Sequence, residues 1–286
     1  MKIRYDASLS HDGGKGGLRI LYPVMDGYIE YTFLHSVAPE KNCDIWRMSI
    51  VNALDERGEF LYRLTKASAE WEMAIRLEGR PDFIGGFNHG DEIGCSPIFC
   101  LDGKSVAPEE LSEPRDFSRL EVTVESTGFD PASPAVPVLS HKKEYLYGEN
   151  GVDLRQEVIW QRDVTLATKM KSYLAMMPPL KYSPGDEAFS ITDSFAFCDD
   201  RIQSITHLPI ESEQTKGITV EGKEYRFVMQ ASEYAPLYPN SYFSFLTDNG
   251  NLNYNKMYIS FAGGEADFIS AGTRWTARTH YRIEKK

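Results

Sequence analysis

The sequence predicts an all-β protein, a large antiparallel β-sandwich with very little helix. Three observations predict it. Apolar and polar residues alternate with period two from one end of the chain to the other. Turn signals separate the alternating runs, among them Asp12-Gly13-Gly14, Asp26-Gly27, Asp102-Gly103, Glu149-Asn150-Gly151, Pro184-Gly185-Asp186 and Asp248-Asn249-Gly250. Helical periodicity is almost absent.

In chain order, strands are expected at 17–24, 27–35, 44–52, 58–64 and 70–77. In the last of these, Glu70, Glu72 and Ala74 point one way and Trp71, Met73 and Ile75 the other. A single helical turn is expected at Ala107-Pro108-Glu109-Glu110-Leu111, where proline suits an early helical position. In 118–126, Leu120, Val122 and Val124 oppose Arg119, Glu121, Thr123 and Glu125. In 138–147, His141, Lys143, Tyr145 and Tyr147 share a face that reads as an amphipathic outer surface. In 152–160, Val152, Leu154, Val158 and Trp160 oppose Asp153, Arg155 and Glu157. Further strands are expected at 163–174, 188–197, 218–230, 241–247 and 256–262. In 274–283, Trp275, Ala277, Tyr281 and Ile283 oppose Arg274, Arg278, His280 and Arg282.

So many strands with one apolar face each need two packed sheets. The segment 127–138 carries three prolines and reads as a crossing loop inside one domain spanning 1–286, because the strands on either side share one style.

Composition narrows the function. With 286 residues the chain can bury a substantial core. No run of about 18 apolar residues occurs, so no membrane helix is expected. The start, Met1-Lys2-Ile3-Arg4-Tyr5-Asp6, has no apolar leader, so the expectation is a cytoplasmic protein, or a secreted one whose leader has been removed. The net charge of −11 argues against a general nucleic-acid binder. Cys43, Cys95, Cys100 and Cys198 form no CxxC pair, so a zinc site is not expected. No metal or cofactor is assigned, although Asp and Glu loops leave a Ca²⁺ site open without EF-hand spacing. No GxSxG elbow, P-loop, HExxH or placed GxGxxG is present.

The densest chemistry lies in Asp82-Phe83-Ile84-Gly85-Gly86-Phe87-Asn88-His89-Gly90-Asp91-Glu92. Glycines let the backbone take positive φ and approach other groups closely. Imidazole suits proton transfer near neutral pH. His89, with Asp91 or Glu92 orienting it, reads as a general acid–base pair; Asn88 adjoins it and Trp71 lies on the preceding strand. Against this stands a solvated turn capped by its own Asp and Asn. Arg274, Arg278 and His280 form a second candidate, an anion-binding face, since guanidinium grips carboxylates bidentately; the competing reading pairs them with Asp and Glu on neighbouring strands. Tyr254-Asn255-Lys256-Met257-Tyr258 is a third, with Tyr258 as proton donor and Lys256 beside it. His141 and Tyr145 belong to a fourth, a basic and aromatic face suited to a sugar groove. His11, His35 and His207 have no companion pattern.

The alternation, the aromatic content and the His–Tyr–Arg surface resemble carbohydrate-active β-sandwiches, both the jelly-roll polysaccharide lyases and the galactose-mutarotase-like supersandwiches. The local echoes are Asn88-His89 and Tyr254-Asn255-Lys256-Met257-Tyr258. The first resemblance implies His89 as base, Tyr258 as acid and Arg278 and Asn88 on a uronate carboxylate. The second implies His89 paired with Asp91, Glu92 or Glu157. A carbohydrate substrate is therefore expected, and the leading expectation is a polysaccharide lyase acting on a uronate glycan by β-elimination. The alternatives are a glycoside hydrolase or epimerase using His and paired carboxylates, and a non-catalytic carbohydrate-binding sandwich.

Overall fold

In the computed structural model, residues 1–9, 14–65, 71–167 and 267–286 are described in full. Between 168 and 266 the backbone is described for the strands named below and a few flanking residues, and side chains for 172–174, 219, 224–233 and 235–236.

The elements in order are β1 (Lys2–Asp6), β2 (Gly17–Val24), β3 (Gly27–Ala38), β4 (Cys43–Leu54), β5 (Phe60–Arg63), β6 (Met73–Ala74), the helical turn α1 (Gly86–His89), β7 (Glu92–Gly94), β8 (Ile98–Leu101), β9 (Lys104–Val106), β10 (Arg115–Asp116), β11 (Leu120–Asp130), β12 (Ser133–Gly148) and β13 (Gly151–Trp160). Short pieces follow at Val164–Thr165, Lys171–Met176, Leu180–Lys181, Asp193–Cys198, Arg201–Ser204 and Ile210–Ser212. The strands Thr215–Glu221, Tyr225–Ala235, Tyr242–Leu246, Tyr254–Gly263, Phe268–Ile269 and Arg274–Lys285 complete the chain. The turn expected near Pro108 is a 3-10 helix, Pro108–Leu111.

One antiparallel run joins β11, β12, β13, Arg274–Lys285, Tyr225–Ala235 and Thr215–Glu221. A second joins β1, β2, β3, β4 and β5. The short strand β7 bridges them, pairing β11 antiparallel and β4 in parallel. Their apolar faces meet in one core. Ile20, Phe33 and Met48 from one run pack with Val122, Leu154 and Met229 from the other. Phe33 touches Tyr145 across the interface with ring centroids 5.1 Å apart. A second cluster around Met73, Ile84, Leu139, Trp160 and Trp275 fills the end of the sandwich. The expected all-β sandwich is what the chain builds.

Three local expectations change. Residues 127–138 are not a crossing loop: β11 and β12 run through them as one long hairpin, with register shifts at Gly128/Phe129 and Phe129/Asp130. Prolines sit there because the far end of a hairpin is an edge, where a missing N–H leaves no ladder bond broken. The strand expected at 70–77 pairs as a strand only at Met73–Ala74 and adds single bridges, Ile75 to Ile84 and Leu77 to Leu166. It is buried on both sides, with Glu72, Trp71, Met73 and Ala74 all inside. The face of His141, Lys143, Tyr145 and Tyr147 is not the outside of its sheet but the inside.

Candidate functional site

The glycine-rich segment folds into a clamped turn. Gly85 takes φ 108° with its Cα against Met73, so an added Cβ would lie 2.8 Å from the Met73 carbonyl oxygen. Gly90 takes φ 86° with Cβ space only 2.2 Å from the Lys41 carbonyl oxygen. Neither position accepts an L side chain without strain. The Asp91 N–H donates to Lys41 O at 2.8 Å, and the Phe129 N–H donates to Asp91 O at 2.8 Å. Lys41 Nζ donates to Asn88 O at 3.2 Å and lies over the Phe87 ring.

His89 stands on the last position of α1, about a quarter exposed, with Nδ1 2.9 Å from Asp82 Oδ1. That carboxylate also accepts the Phe83 N–H at 2.7 Å, which fixes its direction. Arg76 approaches it at 3.9 Å and lies over the Phe83 ring. The Phe83 ring is 4.8 Å from the His89 ring and stacks at 6.3 Å on Tyr173. The carboxylate expected to orient His89 is therefore Asp82, not Asp91 or Glu92. Asp82 lies in the same glycine-rich segment, seven residues before His89, but only the fold of the turn brings the two together.

Asp91 is nearly buried and holds Asn42 Nδ2 at 3.3 Å. Burial pushes its carboxyl above the ordinary carboxylate value, and the neighbouring Asp130 and Asp82 carboxylates add to the rise. Arg80 grips Asp130 through both oxygens, and that pairing holds Asp130 below its ordinary value. Arg80, Asp130, Glu78, Arg162 and Asp163 border a cavity of about 490 Å³, within the roughly 300–1,000 Å³ range of small-ligand sites.

Beneath the turn lies a buried polar chain. Glu92 Oε2 accepts the Gly86 N–H at 3.0 Å, at the first residue of α1. Glu92 Oε1 accepts from Ser126 Oγ at 2.6 Å and Lys143 Nζ at 3.0 Å, and lies 3.2 Å from His141 Nδ1. His141 Nε2 meets Gln156 Oε1 at 2.9 Å, and Gln156 Nε2 donates to Glu72 O at 3.3 Å. The Tyr145 hydroxyl donates to Glu72 Oε1 at 2.5 Å. Burial alone would raise Glu92, but the Lys143 charge and His141 draw it well below its ordinary value. Burial and the Glu72 charge push the Tyr145 hydroxyl up. This chain can fix the turn that carries His89; its fully buried groups do not face a substrate.

The remaining expected residues are placed as follows. The structure brings His89, Asn88 and Asp91 together on one clamped turn, with Glu92, His141 and Tyr145 below them. Trp71 is fully inside the core, donating from Nε1 to Ser49 O, and so is out of reach of a substrate. Arg274 pairs with Glu157, Arg278 with Asp153 and Glu233, and His280 with Asp153. They project from the side of Arg274–Lys285 opposite Tyr281, whose hydroxyl donates to Trp71 O, so they stand on the sheet's outer face. The backbone of Tyr254–Gly263 is a strand, but the side chains of Lys256 and Tyr258 lie outside the described residues, as do Glu70, His11 and His207. Asp82, Arg76, Arg80 and Lys143 are the members of the site that the sequence reading did not select.

No family model matches the chain, and no curated protein is similar to it in sequence. Solved structures do resemble it. A protein of Escherichia coli K12 assigned as an aldose 1-epimerase is 10% identical over 94% of this chain and 100% of its own, with a TM-score of 0.47. A galactose mutarotase-like protein of Clostridium acetobutylicum is 13% identical over 99% and 98%, with a TM-score of 0.44. Galactose 1-epimerase of Lactobacillus acidophilus NCFM is 11% identical over 99% and 98%, with a TM-score of 0.48. At these identities and scores the likeness assigns no activity to this chain. The expectation of a polysaccharide lyase is nevertheless corrected. The three structures named above are of epimerase and mutarotase-like proteins rather than lyases. Arg278, the arginine expected on a uronate carboxylate, is in addition already ion-paired with Asp153 and Glu233 on the outer face of the sheet.

Proposed function

We propose that the chain is an aldose 1-epimerase-type enzyme, interconverting the α and β anomers of a free sugar by general acid–base catalysis. The observation that carries the reading is one rigid turn bearing an imidazole oriented by a carboxylate, His89 with Asp82, and two residues later a carboxyl of raised pKa, Asp91. The chemistry needs only such a pair. His89 removes the proton from the anomeric hydroxyl while the Asp91 carboxyl delivers one to the ring oxygen. The C1–O5 bond breaks with its electron pair going to O5, leaving the open-chain aldehyde. Rotation about C1–C2 and reversal of the transfers closes the other anomer, with no net change in protons. A carboxyl raised above its ordinary value suits the proton-donor role.

The Tyr173 ring offers an apolar face for sugar C–H groups, and Arg76 supplies donors for ring hydroxyls. Epimerisation requires neither a nucleophile nor a cofactor. The reading rests on these residues rather than on the fold likeness. Polarimetry on freshly dissolved aldoses tests it. Wild-type protein is expected to speed equilibration of at least one aldose, and His89→Asn and Asp91→Asn to slow that catalysis by roughly 10²–10⁴-fold each. Full activity in His89→Asn would overturn the assignment.

A further inference from the structure

At the start of β4, the same end that the His89 turn packs against, lies a cavity of about 310 Å³, bordered by Tyr5, His35, Asp44, Trp46, Cys95 and Glu109 among others. Its polar centre is a fixed dyad: His35 Nε2 lies 2.7 Å from Asp44 Oδ1. The other ring nitrogen is occupied as well, because the Lys15 N–H donates to His35 Nδ1 at 2.9 Å. A backbone donor on Nδ1 leaves the proton on Nε2, facing the carboxylate. With both nitrogens engaged, His35 cannot carry a proton to or from a ligand. It holds Asp44 in one direction.

The dyad rests on an aromatic floor. The Trp46 ring stacks 5.2 Å from the His35 ring, and Phe99 packs edge-on against Trp46 at 6.0 Å. Pro97 and Pro108 add apolar wall, and Ser96 adds a hydroxyl. The Asp44 side chain is half exposed into this space. Glu109 stands near Tyr5, whose hydroxyl, already raised by burial, it raises further. The Tyr5 hydroxyl is itself spent on Lys15 O at 2.6 Å. The mouth thus offers two carboxylate acceptors, Lys15, a proline wall beside the largely buried Trp46 and a fixed orientation. A ligand that fits must bring hydrogen-bond donors and an apolar face, and among the described residues it meets no imidazole free for proton transfer.

We propose that this cavity is a second, non-catalytic binding site for a pyranose ring, with vicinal hydroxyls donating to Asp44 and Glu109 and C–H groups against the Trp46 side. It shares no lining residue with the His89 turn and does not depend on the epimerase reading. Cys95 reports on it directly, since its thiol is exposed at the cavity wall while its N–H is fixed on Glu125 O.

The test is the rate of Cys95 alkylation by iodoacetamide, followed by peptide mass mapping, in the presence of methyl α-D-glucopyranoside or methyl α-D-galactopyranoside. These glycosides have a blocked anomeric oxygen and cannot be epimerised. Protection of Cys95 by at least twofold at saturation is expected, lost in Asp44→Asn and in Glu109→Gln. Cys100 alkylation serves as the control for general stabilisation. Equal protection in wild type and both variants would overturn the site, as would no protection by either glycoside. Protection by an alkylamine such as tris(hydroxymethyl)aminomethane but by neither glycoside would overturn the ligand class. None of these outcomes depends on polarimetric activity, so failure here and failure of the epimerase reading are distinguishable.

Discussion

At the scale of single residues, the site is a set of opposed pKa shifts. Asp91 is held up by burial and by the neighbouring Asp130 and Asp82 charges, whereas Glu92, the next residue, is drawn well down by Lys143 and His141. The two shifts act on stability in opposite directions. A carboxyl raised in the folded state costs stability once ionised, and that cost fades as pH falls through its folded value. Asp91→Asn is therefore expected to raise Tm at pH 7–8, with the gain disappearing near pH 3 while catalysis is lost. Thermal denaturation at the two pH values checks it, and an unchanged or lowered Tm at pH 8 would contradict it. Glu92 is the reverse case. Its contribution is present above its ordinary titration range and is lost as pH falls through the depressed folded value. Lys143→Met leaves that carboxylate buried without its cation and is expected to cost about 3–5 kcal/mol, measured by urea denaturation.

At the scale of elements, α1 is only one turn long and owes its shape to contacts outside itself. Gly90→Ala puts a Cβ 2.2 Å from a carbonyl oxygen at a positive φ. It is expected to lower Tm by several degrees and to reduce catalysis more than Tm alone explains, because His89 moves with the turn. A variant with normal kcat would show that the turn does not position His89. The legibility of the sequence also divides at this scale. β2 begins and ends where alternation placed it, at Gly17–Val24, because one side of that strand meets the core and the other does not. β12 misled. His141 and Lys143 are in phase with Leu139 and Tyr145, and this phase marked the inside correctly. Polarity argued for the outside, and only Glu92, Ser126 and Gln156, brought in from other strands, make burial affordable. Residues 70–77 misled in the opposite way, since a buried carboxylate such as Glu72 depends on the distant Tyr145 hydroxyl. The His89 segment was legible as a site from its glycines, yet Asp82 as partner was not, because which carboxylate meets an imidazole is set by the turn geometry. His35 offered no pattern at all, its partners Asp44 and Lys15 being joined to it by sheet register and a backbone bond.

At the scale of the whole molecule, the sandwich separates two jobs. Its core pairs the two strand runs and buries the Glu92 chain, and its rims carry the exposed chemistry at His89 and the Asp44 cavity. The outer face of Arg274–Lys285 is neutralised by Asp153, Glu157 and Glu233. Replacing Arg278 by Ala is expected to change sugar turnover less than twofold, measured by polarimetry; a loss comparable to that of His89→Asn would move the site to that face.

The measurement that bears most directly on the central claim is α/β exchange of D-glucose and D-galactose by two-dimensional exchange NMR, with wild-type protein and His89→Asn at equal concentration. Exchange cross-peaks that grow with wild-type concentration and fall to the spontaneous level with His89→Asn are the predicted result. Spontaneous exchange rates in both samples, or equal acceleration by both, would contradict it.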